Sequence, residues 1–509
     1  MLKPIKTKQN STNYLVIGTA ERGYSIPILK VLANFAAHTK ANVVYSGALC
    51  DRFAIAMYDS KTRKAKTLGG ERDRDAKTLK KINATIREIV DKQDKTIIDL
   101  CTHLGPVKFV VNDSLYINDG LAADLSPVSH LDLSKYLTIT PVAPNGDRVS
   151  GNPLTPRSIQ MYRYYNNSVV CPHPVMATRL FAREGINQAL QFITTGALRW
   201  PTNAKRQSET FEHFSHPGAV LITLDNDTGQ FYHQRIHVDR NSSDILFIAW
   251  DGLIVTANDM KEAPPADRLS FATDTHGQYK NKAAWYAFLE SIQLHAPATV
   301  VHGGDLADMP SLNGHSPKHT LVHDGLRLSD DLEVFCDDVV EMHNASPENA
   351  KIVILESNHH EWLNRYINDN KVLHGLIGWP QMQAKLIDYT GNEGITIRED
   401  APGQESFLWG DFRLRHGHTD GSVISLSDTQ GKAINGHYHT HEEYMDAIRL
   451  GCTCVHMPYM KGANDRWILQ IATGTKYHGI ARLHAKTILE KNGIISFAYQ
   501  GKIRRYTFA

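Results

Sequence analysis

The sequence from residue 269 to residue 308 alternates between two hydrophobic periods, and this alternation limits the folds that the chain can adopt. LSFATDTHG is a short apolar run that ends in polar residues, and ATVVHGGDLAD repeats that order. Between them, KAAWYAFLESIQLHA carries Trp285, Phe288, Leu289 and Ile292 at helical spacing. A strand, a helix and a strand joined by short connections form a βαβ unit. The sequence therefore predicts an α/β fold with a parallel or mixed sheet.

The same order of elements occurs in the first half of the chain. NYLVIGTAERGY indicates a strand and a polar loop, IPILKVLANFAAHT a helix, and ANVVYSGALCD a second strand. A boundary is predicted within residues 258–270, where paired prolines and charges follow a hairpin with Asp251 and Gly252 at its turn. The 509 residues exceed the usual size of a single core. We expect two domains, residues 1–260 and 261–509, related by duplication; the alternative is that two α/β domains share this rhythm by chance.

The composition indicates a globular protein without a strong net charge. Fifty-five basic residues are balanced by 54 acidic ones, which argues against binding nucleic acid through bulk charge but leaves room for a local basic groove. Residues 61–81 and 502–505 are basic candidates for such a contact, although runs of this kind are usually solvated surface. The six cysteines do not indicate a disulfide framework, and Cys452 and Cys454 are expected in a buried strand rather than as ligands. Without a signal peptide or a membrane segment, the protein is expected in the cytoplasm.

Histidine is unusually frequent, and many of the 26 histidines cluster in the second half, which points to that half for chemistry. In INGHYHTH, the residues His437, His439 and His441 occupy alternate positions behind Gly436. In an extended segment such residues point to the same side, so three imidazoles could converge on a transition metal. The alternative is a polar loop in a histidine-rich protein.

Four further polar segments follow apolar runs in the second half. They are ATDTHG with Asp274 and His276, GGDLAD with Asp305, ESNHHEW with Asn358 and His359, and LRHGHTDG with His416. Open α/β sheets hold their ligands at the edge where strands give way to loops. We therefore expect these loops to meet INGHYHTH at one place.

In this order the five segments resemble the pattern of the calcineurin-like metallophosphoesterases, which runs DxH, GD, GNH with a following acidic residue, H and GHxH. The resemblance covers residues 268–509 and implies a four-layer sandwich of mixed sheets flanked by helices. It also implies that Asp305 bridges two divalent metal ions. The remaining ligands implied are Asp274, His276 and His439 for one ion, and Asn358, His416 and His437 for the other. His359 would be the catalytic residue that protonates the leaving oxygen.

The residue types suit this role, because two neighbouring cations repel one another and a shared carboxylate reduces the repulsion. Oxygen and nitrogen ligands suit Mn²⁺, Mg²⁺, Zn²⁺ or iron, and the resemblance favours Mn²⁺. Two positions depart from the family pattern. Ser357 stands where glycine is usual, and His360 stands where an acidic residue usually orients the catalytic histidine. Either Glu361 takes over the orienting role, or His359 has a different pKa from the family's catalytic histidine.

Other polar residues are weaker candidates for contacts with the metal ligands or the substrate, and a solvated loop residue is the alternative. They are Asp308, His315, Lys318, His319, His360, Glu361, Arg365, His418 and His441. The first half has Ala20, Arg22 and Ala48 at the places of the first aspartate, the first histidine and the bridging aspartate, and only His173 matches near the last motif. We therefore expect a degenerate copy or an accessory domain that holds no metal pair.

The expected activity is hydrolysis of a phosphoester by a hydroxide shared between the ions, with DNA as the favoured substrate and partner. In size and general character the chain is similar to Mn²⁺-dependent DNases that tailed phages make early, during DNA transfer into the host. The alternative enzyme is a phosphatase or phosphodiesterase acting on small molecules or phosphoproteins. The alternative without catalysis is an assembly or regulatory binding protein. A homo-oligomer is also compatible with the sequence.

Overall fold

The computed structural model describes residues 2–5, 10–18, 24–47, 76–111, 128–141, 153–154, 167–183, 186–200, 216–312, 325–399, 406–455, 457 and 467–508. Several predicted positions lie outside them, namely Ala20, Arg22, Ala48, His315, Lys318, His319 and residues 61–75 of the basic segment. The described chain is a mixed α/β protein with several sheets. Among its described helices, none is long and apolar enough to cross a membrane.

A five-stranded sheet forms the centre of the first half. Its strands are β2 (Ser11–Gly18), β3 (Asn42–Ser46), β4 (Val107–Val110), β10 (Gly218–Asp225) and β11 (Phe231–His237). Its helices are α1 (Ile26–Thr39) and α2 (Ala76–Leu104). Strands β2, β3 and β4 run parallel, and β10 joins β2 in the antiparallel direction. The strand, helix and strand predicted here are confirmed.

A six-stranded sheet forms the centre of the second half. Its strands are β16 (Arg268–Ala272), β17 (Thr299–His302), β18 (Lys351–Ile354), β19 (Ile395–Ile397), β25 (Gln470–Tyr477) and β26 (Ile480–Thr487). Its helices are α3 (Lys282–His295), α4 (Leu328–Ala345), α5 (Asn358–Asp369) and α6 (Trp379–Thr390). Short 3-10 helices cover Pro265–Asp267, Gly277–Tyr279, Pro310–Leu312 and Lys371–Leu373. Strands β16 to β19 are parallel and β25 is antiparallel to β16, which confirms the predicted βαβ unit.

A ten-stranded sheet is shared by the two halves. The first half supplies β5 (Leu131–Ser134), β6 (Leu137–Ile139), β7 (Ser168–Cys171), β8 (Ala177–Arg183) and β9 (Ile186–Thr194). The second half supplies β20 (Phe407–Trp409), β21 (Phe412–Leu414), β22 (Ala433–Asn435), β23 (Glu442–Tyr444), β24 (Ala447–Arg449) and helix α7 (Val423–Gln430). The two groups meet where β8 pairs with β23, with Thr178 opposite Glu443.

Two small sheets exchange strands between the halves. One contains β12 (Asp239–Arg240), β13 (Leu246–Trp250), β14 (Leu253–Val255) and β15 (Met260–Glu262). The other contains β27 (Leu489–Lys491), β28 (Ile494–Tyr499), β29 (Lys502–Phe508) and β1 (Leu2–Pro4). Strand β15 pairs with β14, and β1 pairs with β29. Each half therefore places its first strand on the last strand of the other half.

The strand orders of the two halves correspond element by element. The order β11, β10, β2, β3, β4 matches β26, β25, β16, β17, β18, and the order β5, β6, β7, β9, β8 matches β20, β21, β22, β24, β23. In the described residues, β19 is the strand of these sheets without a counterpart. A duplicated chain would have this arrangement, while the common origin and the boundary at residue 260 stay predictions.

Helix α3 illustrates how local sequence determines these elements. The Asn281 side chain accepts a hydrogen bond from the Ala284 amide and caps the first turn. Trp285, Phe288 and Ile292 are buried in the core of the second half, as their spacing predicts. The predicted hairpin between β13 and β14 is also confirmed, with positive φ at both residues of its Asp-Gly turn. The described cysteines are free thiols.

Asp251, in that hairpin turn, connects the two halves through a buried ion pair. Its carboxylate accepts hydrogen bonds from the Lys486 ammonium at 2.7 Å, the Thr473 hydroxyl at 2.9 Å and the Gln500 amide at 2.9 Å. Burial alone would raise the pKa of the Asp251 carboxyl, but the charges of Lys486 and His484 and the hydrogen bonds from Lys486 and Gln500 together lower the pKa to about 2. The buried Asp251 carboxylate and the buried Lys486 ammonium therefore stabilise one another.

We predict that Asp251→Asn destabilises the protein strongly. The substitution leaves the buried Lys486 charge without its partner, which costs about 3–5 kcal/mol. Asp244→Asn is the matched control, because Asp244 also has a positive φ but forms an exposed ion pair with Arg240 and should change stability little. Urea denaturation followed by circular dichroism measures both variants. Equal midpoints for the two would contradict the prediction.

Candidate metal centre

The polar loops that follow strands of two sheets meet at one place. The residues from the central sheet of the second half are Asp274 and His276 after β16, Asp305 after β17, and Asn358 and His359 after β18. The residues from the ten-stranded sheet are His416 after β21, and His437 and His439 after β22. All of them are buried except Asn358 and His437, which are partly exposed. The structure thus brings together every residue predicted as a metal ligand or as the catalytic residue.

The loops hold these side chains with uncommon backbone conformations. Asp274, Asp305, His437 and His439 have φ values of 53°, 50°, 68° and 57°, in the left-handed region that residues other than glycine rarely adopt. Hydrogen bonds fix these conformations. The Asp274 amide donates to the Gly304 carbonyl at 3.1 Å, and the His437 amide donates to the Asp274 carboxylate at 2.9 Å. Strain of this kind clusters at functional sites.

Two glycines allow the loops to approach one another. A Cβ at Gly436 would lie 2.2 Å from Asp274 Oδ2, so the loop after β22 can reach Asp274 only with glycine at that position. Gly304 has a φ of 97°, and a Cβ there would lie 2.9 Å from His416 Nδ1. These contacts explain the glycines that precede Asp305 and His437 in the sequence.

Asp274, His276 and His439 form one group of facing ligand atoms. His439 Nε2 lies 3.2 Å from Asp274 Oδ1 and 3.3 Å from His276 Nε2. The Thr273 hydroxyl donates to Asp274 Oδ2 at 2.7 Å. Burial alone would raise the pKa of Asp274, but the charge and hydrogen bond of His439 together with the charge of His416 lower it. Asp274 is therefore a carboxylate at neutral pH.

Asn358, His416 and His437 form a second group around Asp305. His416 Nε2 lies 2.8 Å from Asn358 Oδ1 and 3.2 Å from Asp305 Oδ2. His416 Nδ1 donates to the Gly303 carbonyl at 3.1 Å, which aims Nε2 at the other ligand atoms. The His437 ring centroid is 5.2 Å from that of His416. Burial lowers the pKa of His437 to about 4, so its imidazole is neutral and can offer a lone pair.

Asp305 lies between the two groups. Its Oδ2 is 3.2 Å from His416 Nε2 and 3.9 Å from His276 Nε2, the position that a bridging ligand requires. Burial would raise the pKa of Asp305, but the charges of His359 and His416 hold it well below its usual range. Burial would likewise lower the pKa of His416, but the charge and hydrogen bond of Asp305, the charge of Asp274 and the hydrogen bond to Gly303 together raise it to about 9.

These residues fit a pair of divalent ions. Two carboxylates, one amide oxygen and several imidazole nitrogens form the oxygen and nitrogen set that such ions prefer. In the metal-free protein, a proton on His416 balances the charge of Asp305. A bound cation would replace that proton, because metal ligands bind in their deprotonated form.

Asp308 orients two imidazoles of the centre. Its Oδ1 accepts a hydrogen bond from His276 Nδ1 at 2.8 Å, and its backbone carbonyl accepts one from His359 Nδ1 at 2.6 Å. His359 Nε2 then faces the centre, 3.9 Å from Asp305 Oδ2. Glu361 does not take this role, because its carboxylate lies 3.8 Å from His418 and pairs with Arg365.

The two departures from the family pattern have separate structural reasons. The Ser357 hydroxyl accepts a hydrogen bond from the Asp305 amide at 2.9 Å and so supports the loop of that aspartate. His360 is fully buried and packs on the Trp379 ring, with 4.3 Å between centroids, and against Phe335. His360 was a candidate contact in the site, but the structure places it in the hydrophobic core.

The expectation that His441 converges with His437 and His439 is wrong. The positive φ values of His437 and His439 turn the chain, and His441 instead faces Glu443 with 3.8 Å between Nε2 and Oε2. Cys454, expected to be only a buried strand residue, has its sulfur 3.8 Å from His439 Nδ1. The sequence gives no signal for this contact, because the contact depends on how the chain folds back over the 15 positions from His439 to Cys454.

Two further predicted features lie outside the centre. His173 follows β7 as His437 follows β22, but its Nδ1 accepts a hydrogen bond from the Val175 amide at 3.1 Å. The basic segment at residues 502–505 forms part of β29, and Arg505 pairs with Asp225 at 2.8 Å. This segment is therefore partly neutralised.

Comparisons with known proteins do not assign the chain to a family. No model of a protein family matches the sequence, and no curated protein matches it significantly. Among solved structures, the chain is similar to Vps29 of Chaetomium thermophilum and to that protein in complex with the RaPID-derived cyclic peptide RT-D3. The TM-scores are 0.24 and 0.23, with 10% identity, 50% of this chain covered and 98% of each Vps29 chain covered. TM-scores this low do not establish a common fold, so the functional argument rests on the side chains of the centre.

We predict that Asp308→Asn weakens Mn²⁺ binding about 10-fold to 100-fold, because the proposed ligand His276 loses the carboxylate that orients its ring. Asp330→Asn, an exposed residue in the first turn of α4, is the control and should bind Mn²⁺ normally. Calorimetric titration of the metal-free proteins measures the affinities. Equal affinity for the two variants would show that Asp308 does not support a metal ligand.

Proposed function

We propose that this protein is a phosphoesterase that uses two divalent metal ions, Mn²⁺ in the first place, held by the candidate metal centre. The observation that carries the proposal is the approach of Asp274 and Asp305, from loops of one sheet, to within 3.2 Å of imidazoles from another sheet. Buried carboxylates in one site require compensating positive charge. The ligand atoms of the centre are carboxylate and amide oxygens and imidazole nitrogens. Among the described residues no thiolate contacts either carboxylate directly. Such oxygen and nitrogen donors suit Mn²⁺.

Two bound ions would supply Lewis-acid stabilisation of a phosphoryl group. The chain itself supplies a proton donor. The Asp308 carbonyl holds His359 Nδ1, so Nε2 faces the centre and can protonate the leaving oxygen. Asn358 and His437 are the partly exposed ligands, and the substrate would therefore approach from their side.

DNA is the proposed substrate, and two tryptophans beside the centre support this choice. The Trp362 ring lies 4.1 Å from that of His359, and the Trp467 ring lies 4.1 Å from that of His439. Both tryptophans are partly exposed. Aromatic rings next to a phosphate site can stack nucleobases, at about 1–3 kcal/mol for each base. Arg365, on the same helix as Trp362, is exposed and can contact a backbone phosphate.

We also propose that the chain is a duplicated calcineurin-like metallophosphoesterase sandwich in which residues 1–260 are the degenerate copy. The corresponding strand orders support this proposal. The alanines at positions 20 and 48 replace the first and the bridging aspartates. In this view the first half holds no metal pair, and through β8 it supports β23, which follows the loop of His437 and His439.

We predict that His359→Gln lowers the rate of DNA hydrolysis about 10²-fold to 10⁴-fold, the usual contribution of a proton donor. The same variant should cleave bis(p-nitrophenyl) phosphate almost as fast as the wild type, because p-nitrophenolate leaves without a proton. Steady-state rates with Mn²⁺ on plasmid DNA and on the chromogenic diester measure this difference. Equal losses on both substrates would contradict the role of His359 as an acid.

Asp305→Asn and EDTA treatment are the controls, and each should abolish hydrolysis of both substrates. Efficient turnover of p-nitrophenyl phosphate with DNA left intact would contradict the nuclease assignment and favour a phosphatase. A biological effect that survives Asp305→Asn would contradict the enzymatic role and favour an assembly or regulatory protein.

A further inference from the structure

A second group of ligand-type side chains lies where the ten-stranded sheet passes from one half of the chain to the other. Its members are His233 on β11, Glu443 on β23 and His441 directly before β23. Glu443 is paired with Thr178 of β8, in the middle of the junction between the halves. The group shares no residue with the candidate metal centre, and it draws on both halves.

Hydrogen bonds do not fully satisfy the His441 imidazole of this group. Its side chain is 0% exposed, and among the described residues neither ring nitrogen has a hydrogen-bond partner of normal geometry. The Glu443 carboxylate faces it at 3.8 Å, which is too long for a hydrogen bond, and the Arg449 backbone and the Gln470 side chain make only weak hydrogen-bonding contacts with it. Buried polar groups in folded proteins usually have a well-formed partner, so the His441 imidazole has room for a further one.

The positions of the three side chains fit a metal ion. One ligand atom from each residue lies within 4.8 Å of the ligand atoms of the other two. Ligands of tetrahedral zinc bond at about 2.0–2.2 Å and so stand roughly 3.4 Å apart. Small rotations of the His233 and His441 rings, whose centroids are 6.4 Å apart, would bring the nitrogens to that separation.

Arg235 does not prevent cation binding at this place. Its Nε lies 2.7 Å from Glu443 Oε2 and fixes that carboxylate in position. Arg235 and the neighbouring Arg482 face the carboxylates of Glu443, Asp446 and Asp239, so the two guanidinium charges are compensated. Carboxylates that bind metals are commonly held by a neighbouring polar group, here through the ion pair with Arg235, and the remaining lone pairs of Glu443 stay available.

We propose that His233, His441 and Glu443 bind one structural Zn²⁺ ion that joins the two halves of the chain. Two imidazoles and one carboxylate are a known zinc ligand set, and they leave one tetrahedral position for water. Since His441 directly follows the loop of His437 and His439, the ion also fixes the end of that loop. The zinc proposal holds whether or not the protein has the proposed phosphoesterase activity.

The test uses the full chain with Asp274→Asn and Asp305→Asn, which removes both carboxylates from the candidate metal centre. After zinc loading and passage over a weak chelator, plasma mass spectrometry should find about one zinc ion per chain, and zinc should raise the melting temperature. Adding His441→Ala should remove both effects. His484→Ala is the matched control, because His484 is also buried near the junction but bonds to the Ala249 carbonyl; it should keep the zinc.

Glu443→Gln covers the case in which His441→Ala does not fold. Its amide keeps the volume of the side chain but binds zinc poorly, so zinc affinity should fall at least about tenfold. Circular dichroism checks the fold of each variant. Absence of zinc from the parent variant, or zinc retained after both His441→Ala and Glu443→Gln, would overturn the proposal. Hydrolytic activity is not part of this test, so its outcome is separate from that of the proposed function.

Discussion

The centre of this protein depends on the electrostatics of two buried carboxylates. Asp274 and Asp305 are 0% and 2% exposed, and removing such groups from water is unfavourable without compensating positive charge. Imidazoles at 3.2 Å provide part of that charge. They do so by holding protons, as the raised pKa of His416 shows. The fold itself therefore creates a site that favours cations.

Much of the surrounding structure serves to bring these groups together and keep them in place. The ligands come from two sheets, so the loops must approach closely, and Gly436 and Gly304 permit this approach. Positive φ values at Asp274 and Asp305 aim the carboxylates inward. Asp308 then orients the imidazoles by a carboxylate and a carbonyl contact. Strain in the loops is thus balanced by hydrogen bonds among them.

The sequence predicts which side chains meet at the candidate metal centre, because each follows an apolar strand and parallel strands present their ends at one edge. The direction of His441 could not be predicted in this way, because it depends on the φ values of His437 and His439 rather than on alternation along a strand. The role of Asp308 depends on a loop conformation that has no periodic signature. The pairing of β1 with β29 joins opposite ends of the chain, and such long-range contacts leave no local pattern in the sequence.

The proposed function requires that two cations share the Asp305 carboxylate. The most direct measurement is anomalous diffraction from a crystal soaked in Mn²⁺, recorded at the manganese edge. We expect two peaks about 3.5–4 Å apart, one beside Asp274, His276 and His439 and the other beside Asn358, His416 and His437, with Asp305 between them. A single peak, peaks remote from Asp305, or ordered density without any manganese at this place would contradict this expectation.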